Sequence, residues 1–191
     1  MPFTEIDKQF SKSINDFENI LKSLDFDLDQ SIEFTLSSDL KAELDNAPKE
    51  KGLYYFEMKI PKNHLVYDVI DRNLFNFKKV WKDDPKVSSF WSPGVKKKRC
   101  IKANERIESH LNEGWIPLYL GKSECIVNRV KQHLFQDPAQ ASFAMKLLAR
   151  TDLYGIQFRL STLPIQVENS KMILPYVEDY LRSVKNPILG Q

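Results

Sequence analysis

Apolar residues at Ile6, Phe10, Ile14, Phe17, Leu21 and Leu24 recur at three- and four-residue steps. That spacing predicts an amphipathic helix whose apolar face covers the core. Asp25 to Gln30 breaks the pattern, and Ser38-Asp39 is a cap signal for a short helix through about Asp45. Pro48 begins a polar, basic linker.

Beyond the linker the period changes. Leu53 to Ile60 is rich in aromatic and branched residues and predicts a strand ending at Pro61. Ile116 to Leu120 predicts a second strand. Leu153 to Thr162 predicts a third, because Ile156, Phe158 and Leu160 alternate with Gln157, Arg159 and Ser161. Glu124 to Phe135 and Ala139 to Arg150 carry helical periodicity, split by Asp137-Pro138. A last helix presents Val177, Tyr180, Leu181 and Val184, with Pro175 near its start and Pro187 beyond its end. The expected fold class is therefore α+β, a small three-stranded mixed sheet flanked by helices.

Two divisions follow from this order. Residues 1–50 form an acidic N-terminal helical segment and residues 51–191 the main domain. Within it residues 61–114 read as an insertion, too long for a structureless loop in a compact domain. Leu74, Phe75, Phe77, Val80 and Trp81 supply apolar material, and Ala103 to Leu111 predicts a short helix leading back.

Charge sharpens the division. The chain carries 28 basic and 26 acidic side chains, but residues 1–50 hold 5 of the first and 12 of the second. The remaining 23 basic and 14 acidic side chains make the body positive, as a phosphate-facing surface requires. No apolar run is long enough to span a membrane, and the N-terminus lacks a signal-peptide layout. Cys100 and Cys125 are too few for a disulfide framework, which points to a reducing cytoplasm.

Candidate chemistry lies in two tyrosine motifs. Gly52-Leu53-Tyr54 opens the first strand, and Tyr119-Leu120-Gly121 closes the second, followed by Lys122-Ser123. Arg129 and His133 then share one helix face, opposite the stripe Ile126, Val127, Val130 and Leu134. Ser123 would cap that helix, bringing its positive end and Lys122 close to Tyr119, where an anion would be welcome. Glu178 follows near the C-terminus. Phosphodiester hydrolysis needs an activated water, charge neutralisation and help for the departing oxygen. A guanidinium matches phosphate geometry, one carboxylate can anchor a magnesium ion, and a neighbouring cation or histidine favours a phenolate.

In that order, from about Lys51 to Leu189, these residues resemble the GIY-YIG nuclease family, with leucine in place of isoleucine in both signatures. The resemblance implies a metal-dependent DNA endonuclease, plausibly a standalone restriction or defence enzyme, using Mg2+ or Mn2+. It implies that Tyr54 and Tyr119 line the site, one of them as general base. Lys122 would lower the phenol's pKa, Arg129 would bind the scissile phosphate, His133 would assist, and Glu178 would hold the metal. Strand alternation puts Tyr54 on the face of Phe56, Met58 and Ile60, so its hydroxyl must reach the site from the rim of the core. The family's closing asparagine is not evident after Pro187, where the chain reads Ile188-Leu189-Gly190.

The insertion adds a nucleic-acid signal: Trp91 for stacking or wedging, and Lys96, Lys97, Lys98 and Arg99 for phosphates. The partner is then DNA, with RNA left open, and cutting both strands with one site per chain favours a homodimer. Two readings of other classes stand beside this one. One is a catalytically inactive nucleic-acid-binding protein on the same fold, and the other a partner-binding domain using its N-terminal helix. Singly, most of these residues also have a plain structural use, Glu178 with Arg182 as an exposed helix ion pair among them.

Overall fold

The computed structural model describes residues 2–40, 47–70, 73–82, 87, 92–104 and 114–190. Among the described residues, six α-helices and six strands follow in the order α1 (Phe3–Ser23), β1 (Ile32–Thr35), β2 (Gly52–Lys59), α2 (Leu65–Ile70), α3 (Phe77–Lys82), β3 (Gly94–Val95), α4 (Lys97–Asn104), β4 (Ile116–Ser123), α5 (Ile126–Phe135), β5 (Gln157–Pro164), α6 (Ser170–Lys185) and β6 (Leu189–Gly190). The main sheet has the order β1-β5-β2-β4, and β3 pairs with β6 in a second, two-stranded sheet.

The α+β class holds, with differences in the sheet. It has four strands rather than three, and every pairing is antiparallel rather than mixed. The additional strand, Ile32–Thr35, lies within the segment read as helical and pairs with Leu160 to Gln157. Its four residues are too few to set a clear alternation, and pairing with β5 settles its conformation.

Strand β2 is the centre of the molecule, bonded to β5 on one side and β4 on the other. Its two faces bury different layers. Tyr54, Phe56 and Met58 join the larger cluster with Ile126, Val130 and Leu134 of α5 and Val66, Ile70, Leu74, Phe77 and Trp81 of the insertion. Leu53 and Tyr55 join the smaller one with Leu174, Val177 and Leu181 of α6 and Leu21 of α1. Each such fully buried aliphatic side chain contributes roughly 1.5–3 kcal/mol. The sheet is thus held between α5 with the insertion on one face, and α6 with the end of α1 on the other.

Helix α1 departs from expectation. Only Leu21 is buried, while Phe3, Ile6, Phe10 and Ile14 are exposed. The apolar stripe therefore covers the core only through its last turns. Residues 139–150 are not an α-helix either, holding only a 3-10 turn at Leu147–Ala149. Lys146 there has a left-handed backbone, φ 56°, which interrupts a helix. Pro175, expected near the start of the last helix, lies inside α6.

The insertion has structure of its own. Arg150 fastens it to the body: its guanidinium lies 3.6 Å from the Trp81 ring centroid and donates to the Trp81 carbonyl and to Ser92 Oγ. The basic run is not a loop but the approach to and first turn of α4. Trp91, residues 41–45 of the expected second helix and residues 105–111 of the expected returning helix lie outside the described residues. Among the described residues no helix is long and apolar enough to cross a membrane.

Candidate active site

The site forms at β4, the edge strand of the main sheet, where the layers on its two faces meet. The tyrosine motifs meet there because of strand register: Tyr54 lies directly opposite Gly121, and Gly52 opposite Ser123. Each glycine has a steric reason. A Cβ on Gly121 would collide with the Tyr54 hydroxyl and come within 3.0 Å of the Tyr119 ring. A Cβ on Gly52 would collide with the Leu163 carbonyl and come within 2.9 Å of Pro164 Cα. The first glycine makes room for a tyrosine; the second lets two strands approach.

The Tyr54 ring is almost wholly buried, at 1% exposure, yet its hydroxyl side lines the cleft beside Gly121. The rim position that alternation demanded is thus achieved through the missing side chain opposite. Tyr54 and Tyr119 lie with ring centroids 6.1 Å apart, and His133 packs 4.8 Å from Tyr119. The Met145 N–H donates to His133 Nδ1 at 3.1 Å, so the neutral ring carries its proton on Nε2. That nitrogen lies 2.9 Å from the Tyr54 hydroxyl oxygen and donates to it.

Electrostatics follow from burial. Burial, then repulsion from Arg129, holds His133 well below the usual histidine range, so it is neutral near pH 7. Burial pushes the Tyr54 phenol far above its ordinary value; Tyr119 adds to the rise, and Arg129 opposes it. Helix α5 presents Arg129 as foreseen, but His133, expected on the same face opposite the apolar stripe, is wholly buried, and the Arg129 fork is already engaged. Nη1 donates to Gln132 Oε1 at 2.7 Å, and Nη2 donates to the Phe143 carbonyl.

Glu178 projects from α6 and is 6% exposed. Its Oε2 lies 2.7 Å from Lys122 Nζ, and its Oε1 lies 2.8 Å from Arg182 Nη2. Arg182 also donates through Nε and Nη2 to the Leu120 carbonyl, at 3.1 and 2.9 Å. The Glu178–Arg182 pair, read from sequence as exposed, is a largely buried clamp tying α6 to the edge strand. The Lys122 ammonium donates to Glu178.

The helix N-terminus is also spent. Cys125, not Ser123, is the N-cap, and Ile126 and Val127 donate their N–H groups to the carbonyls of Glu50 and Pro48. The linker's own backbone thus fills the place that an anion was expected to take.

Tyr54, Tyr119, Gly121, Lys122, Arg129, Phe143, Glu178, Asp179 and Arg182 line one cleft of about 430 Å3. His133 supports it from behind. Phe143, Asp179 and Arg182 are additions not foreseen as site residues; for Arg182 the four-residue spacing from Glu178 was the available signal. Lys96, Lys97, Lys98 and Arg99 are not part of this cleft, and Lys98 and Arg99 line a neighbouring one. Among the described residues no three His, Cys, Asp or Glu side chains cluster as a metal site. A metal here would rest on the carboxylate of Glu178 with waters, after displacing Lys122 or Arg182, with Asp179 as the other carboxylate lining the cleft, a donor set magnesium accepts.

No family model matches this chain, and no curated protein or solved structure matches it either.

Proposed function

We propose that the cleft hydrolyses phosphodiester bonds of DNA, as a metal-dependent endonuclease of GIY-YIG type. One observation carries the reading. Residues far apart in sequence, Tyr54, Tyr119, Lys122, Arg129 and Glu178, converge on one cleft, with His133 bonded to Tyr54.

In this reading Tyr54 is the base that takes the proton of the attacking water. The Nε2–H of His133 and the charge of Arg129 favour its phenolate, offsetting part of the burial that opposes it. His133 cannot itself take the proton on Nδ1, which faces the Met145 N–H. Arg129, fixed by Gln132 and the Phe143 carbonyl, offers the edge of its guanidinium to a phosphate oxygen. Lys122 is the more exposed partner of Glu178 and can exchange that carboxylate for a phosphate. Glu178 would hold Mg2+ or Mn2+, which when bound supplies neutralisation of charge on the phosphate and leaving oxygen. A restriction or defence role and a homodimer cutting both strands extend this reading.

Cleavage of supercoiled and linear DNA in magnesium, manganese or EDTA tests it beside Glu178→Ala. Metal-dependent cutting that disappears in the variant is expected. A second reading, binding without cleavage, is favoured by the engagement of both Glu178 oxygens by cations. Retained DNA affinity with no cutting in either metal selects it.

A further inference from the structure

The basic run of the insertion does not act as a uniform patch, because helix α4 sorts its residues. Cys100 and Ala103 face the core, and Lys97 and Ile101 face solvent. Lys98, Arg99 and Lys102 occupy a third side, where they line a groove of about 310 Å3 with Asp179, Arg182, Ser183 and Asn186 of the α6 segment. Four cations line it beside the carboxylate of Asp179, and one of them, Arg182, is already paired with Glu178. Asp179 and Arg182 also line the candidate active site, so the two clefts share a wall.

The groove is held by main-chain bonds. Gly94–Val95 pairs with Leu189–Gly190, Lys96 N–H donates to the Ile188 carbonyl at 2.9 Å, and Ile188 N–H donates to the Pro117 carbonyl of β4 at 3.0 Å. Arg99 Nη1 donates to the Leu189 carbonyl at 3.3 Å, which orients a half-buried guanidinium beside Arg182. Burial first, and then repulsion from Arg182, lowers the Arg99 pKa. Two guanidiniums held together over a groove favour an anion between them.

We infer that the α4–α6 groove is a second phosphate subsite, in which Arg99, Lys102, Lys98 and Arg182 bind the backbone of duplex DNA beside the phosphate in the candidate active site. The inference rests on the proposed nuclease reading and adds the direction in which the substrate leaves the cleft. It also gives the insertion a use: one strand's backbone runs from Arg129 past Arg182 to α4. Lys102, outside the basic run, becomes a contact, while Lys97 contributes only at long range.

The test is the anisotropy of labelled duplex DNA across a salt titration in EDTA, so that binding is read without cutting. Three variants are compared with the intact protein: Lys102→Gln, Arg99→Gln/Lys102→Gln, and Lys12→Gln on α1 as a charge-matched control. Thermal melts identify any variant that misfolds, and the exposed Lys102 keeps the test open should Arg99→Gln fail to fold. The expected result is a salt slope reduced by about one for Lys102→Gln and about two for the double variant, with affinity about tenfold or more weaker for the latter. Folded variants that match Lys12→Gln in affinity and slope, while all bind DNA, overturn the subsite and leave the nuclease reading standing. Absence of DNA binding by the intact protein overturns both.

Discussion

His133 donates its Nε2–H to the Tyr54 hydroxyl, 2.9 Å away, because the Met145 N–H occupies its other nitrogen. A buried histidine with both nitrogens in use is a stability element as well as a site element. Its folded pKa is depressed by burial, so the unfolded chain takes up a proton that the folded chain refuses. Stability contributed by His133 is complete above the ordinary histidine pKa of about 6.5 and falls below it, by up to about 1.4 kcal/mol per pH unit, until the folded pKa is reached. Urea unfolding between about pH 8 and about pH 5.5 should show this decline, and His133→Gln should flatten it. Parallel pH profiles for the two proteins would remove His133 as its cause.

The two motif glycines should separate by experiment. Gly121→Ala pushes on the far end of the Tyr54 side chain and on the Tyr119 ring, so it displaces the candidate base. Gly52→Ala pushes on the backbone of Leu163 and Pro164, which cannot yield without disturbing the β2–β5 pairing. Overpacking typically costs about 1–3 kcal/mol. Gly52→Ala is expected at or above the top of that range and Gly121→Ala at the bottom, with the larger loss of cleavage in Gly121→Ala. Chemical denaturation beside a plasmid assay reads both, and equal stability losses with equal activity losses would show that the glycines do not differ in this way.

Arg129 should not tolerate lysine. Its fork reaches Gln132 and the Phe143 carbonyl together, and a single ammonium cannot bond both while facing a phosphate. Arg129→Lys is expected to lower cleavage about a hundredfold or more while costing only about 1–2 kcal/mol of stability. Cleavage within a few-fold of the intact protein would make Arg129 a structural residue of the 139–146 segment.

These outcomes bear on what the sequence could and could not disclose. Strands β2 and β4 were legible as short apolar runs rich in aromatic and branched residues, and helices α5 and α6 because each buries one face of helical period; their residues supply nearly the whole cleft. Strand β1 was not, because four residues of an edge strand carry little pattern before β5 pairs with them. Residues 139–150 have a helical pattern, but their backbone is diverted into the site. Phe143 gives its carbonyl to Arg129 and Met145 its N–H to His133, and those bonds replace helical ones.

Side-chain pairing was the least legible layer. Spacing along the chain put Lys122 beside Tyr119 and gave no sign of Glu178, 56 residues away, which it pairs with. Arg182 looked like one half of a surface pair until the edge-strand carbonyl of Leu120 gave it a second use. The face of α1 was read correctly as apolar; its exposure followed from tertiary position, which no local period encodes.

If Tyr54 activates water in the proposed nuclease cleft, its hydroxyl is indispensable to cutting, and nicking of a supercoiled plasmid by Tyr54→Phe measures that dependence. The phenylalanine ring fills the same buried space, so folding should survive, at a cost of about 1–3 kcal/mol because the Nε2–H of buried His133 loses its acceptor. Because burial raises the phenol's pKa, the intact protein in magnesium should cut faster with each step in pH from about 6.5 to about 9 as more phenolate forms. That rise is expected in the intact protein, and a loss of about a hundredfold or more in Tyr54→Phe, with its melting temperature lowered by only several degrees. A folded Tyr54→Phe that nicks the plasmid at the intact protein's rate, or an intact protein that leaves it uncut in both magnesium and manganese, would contradict it.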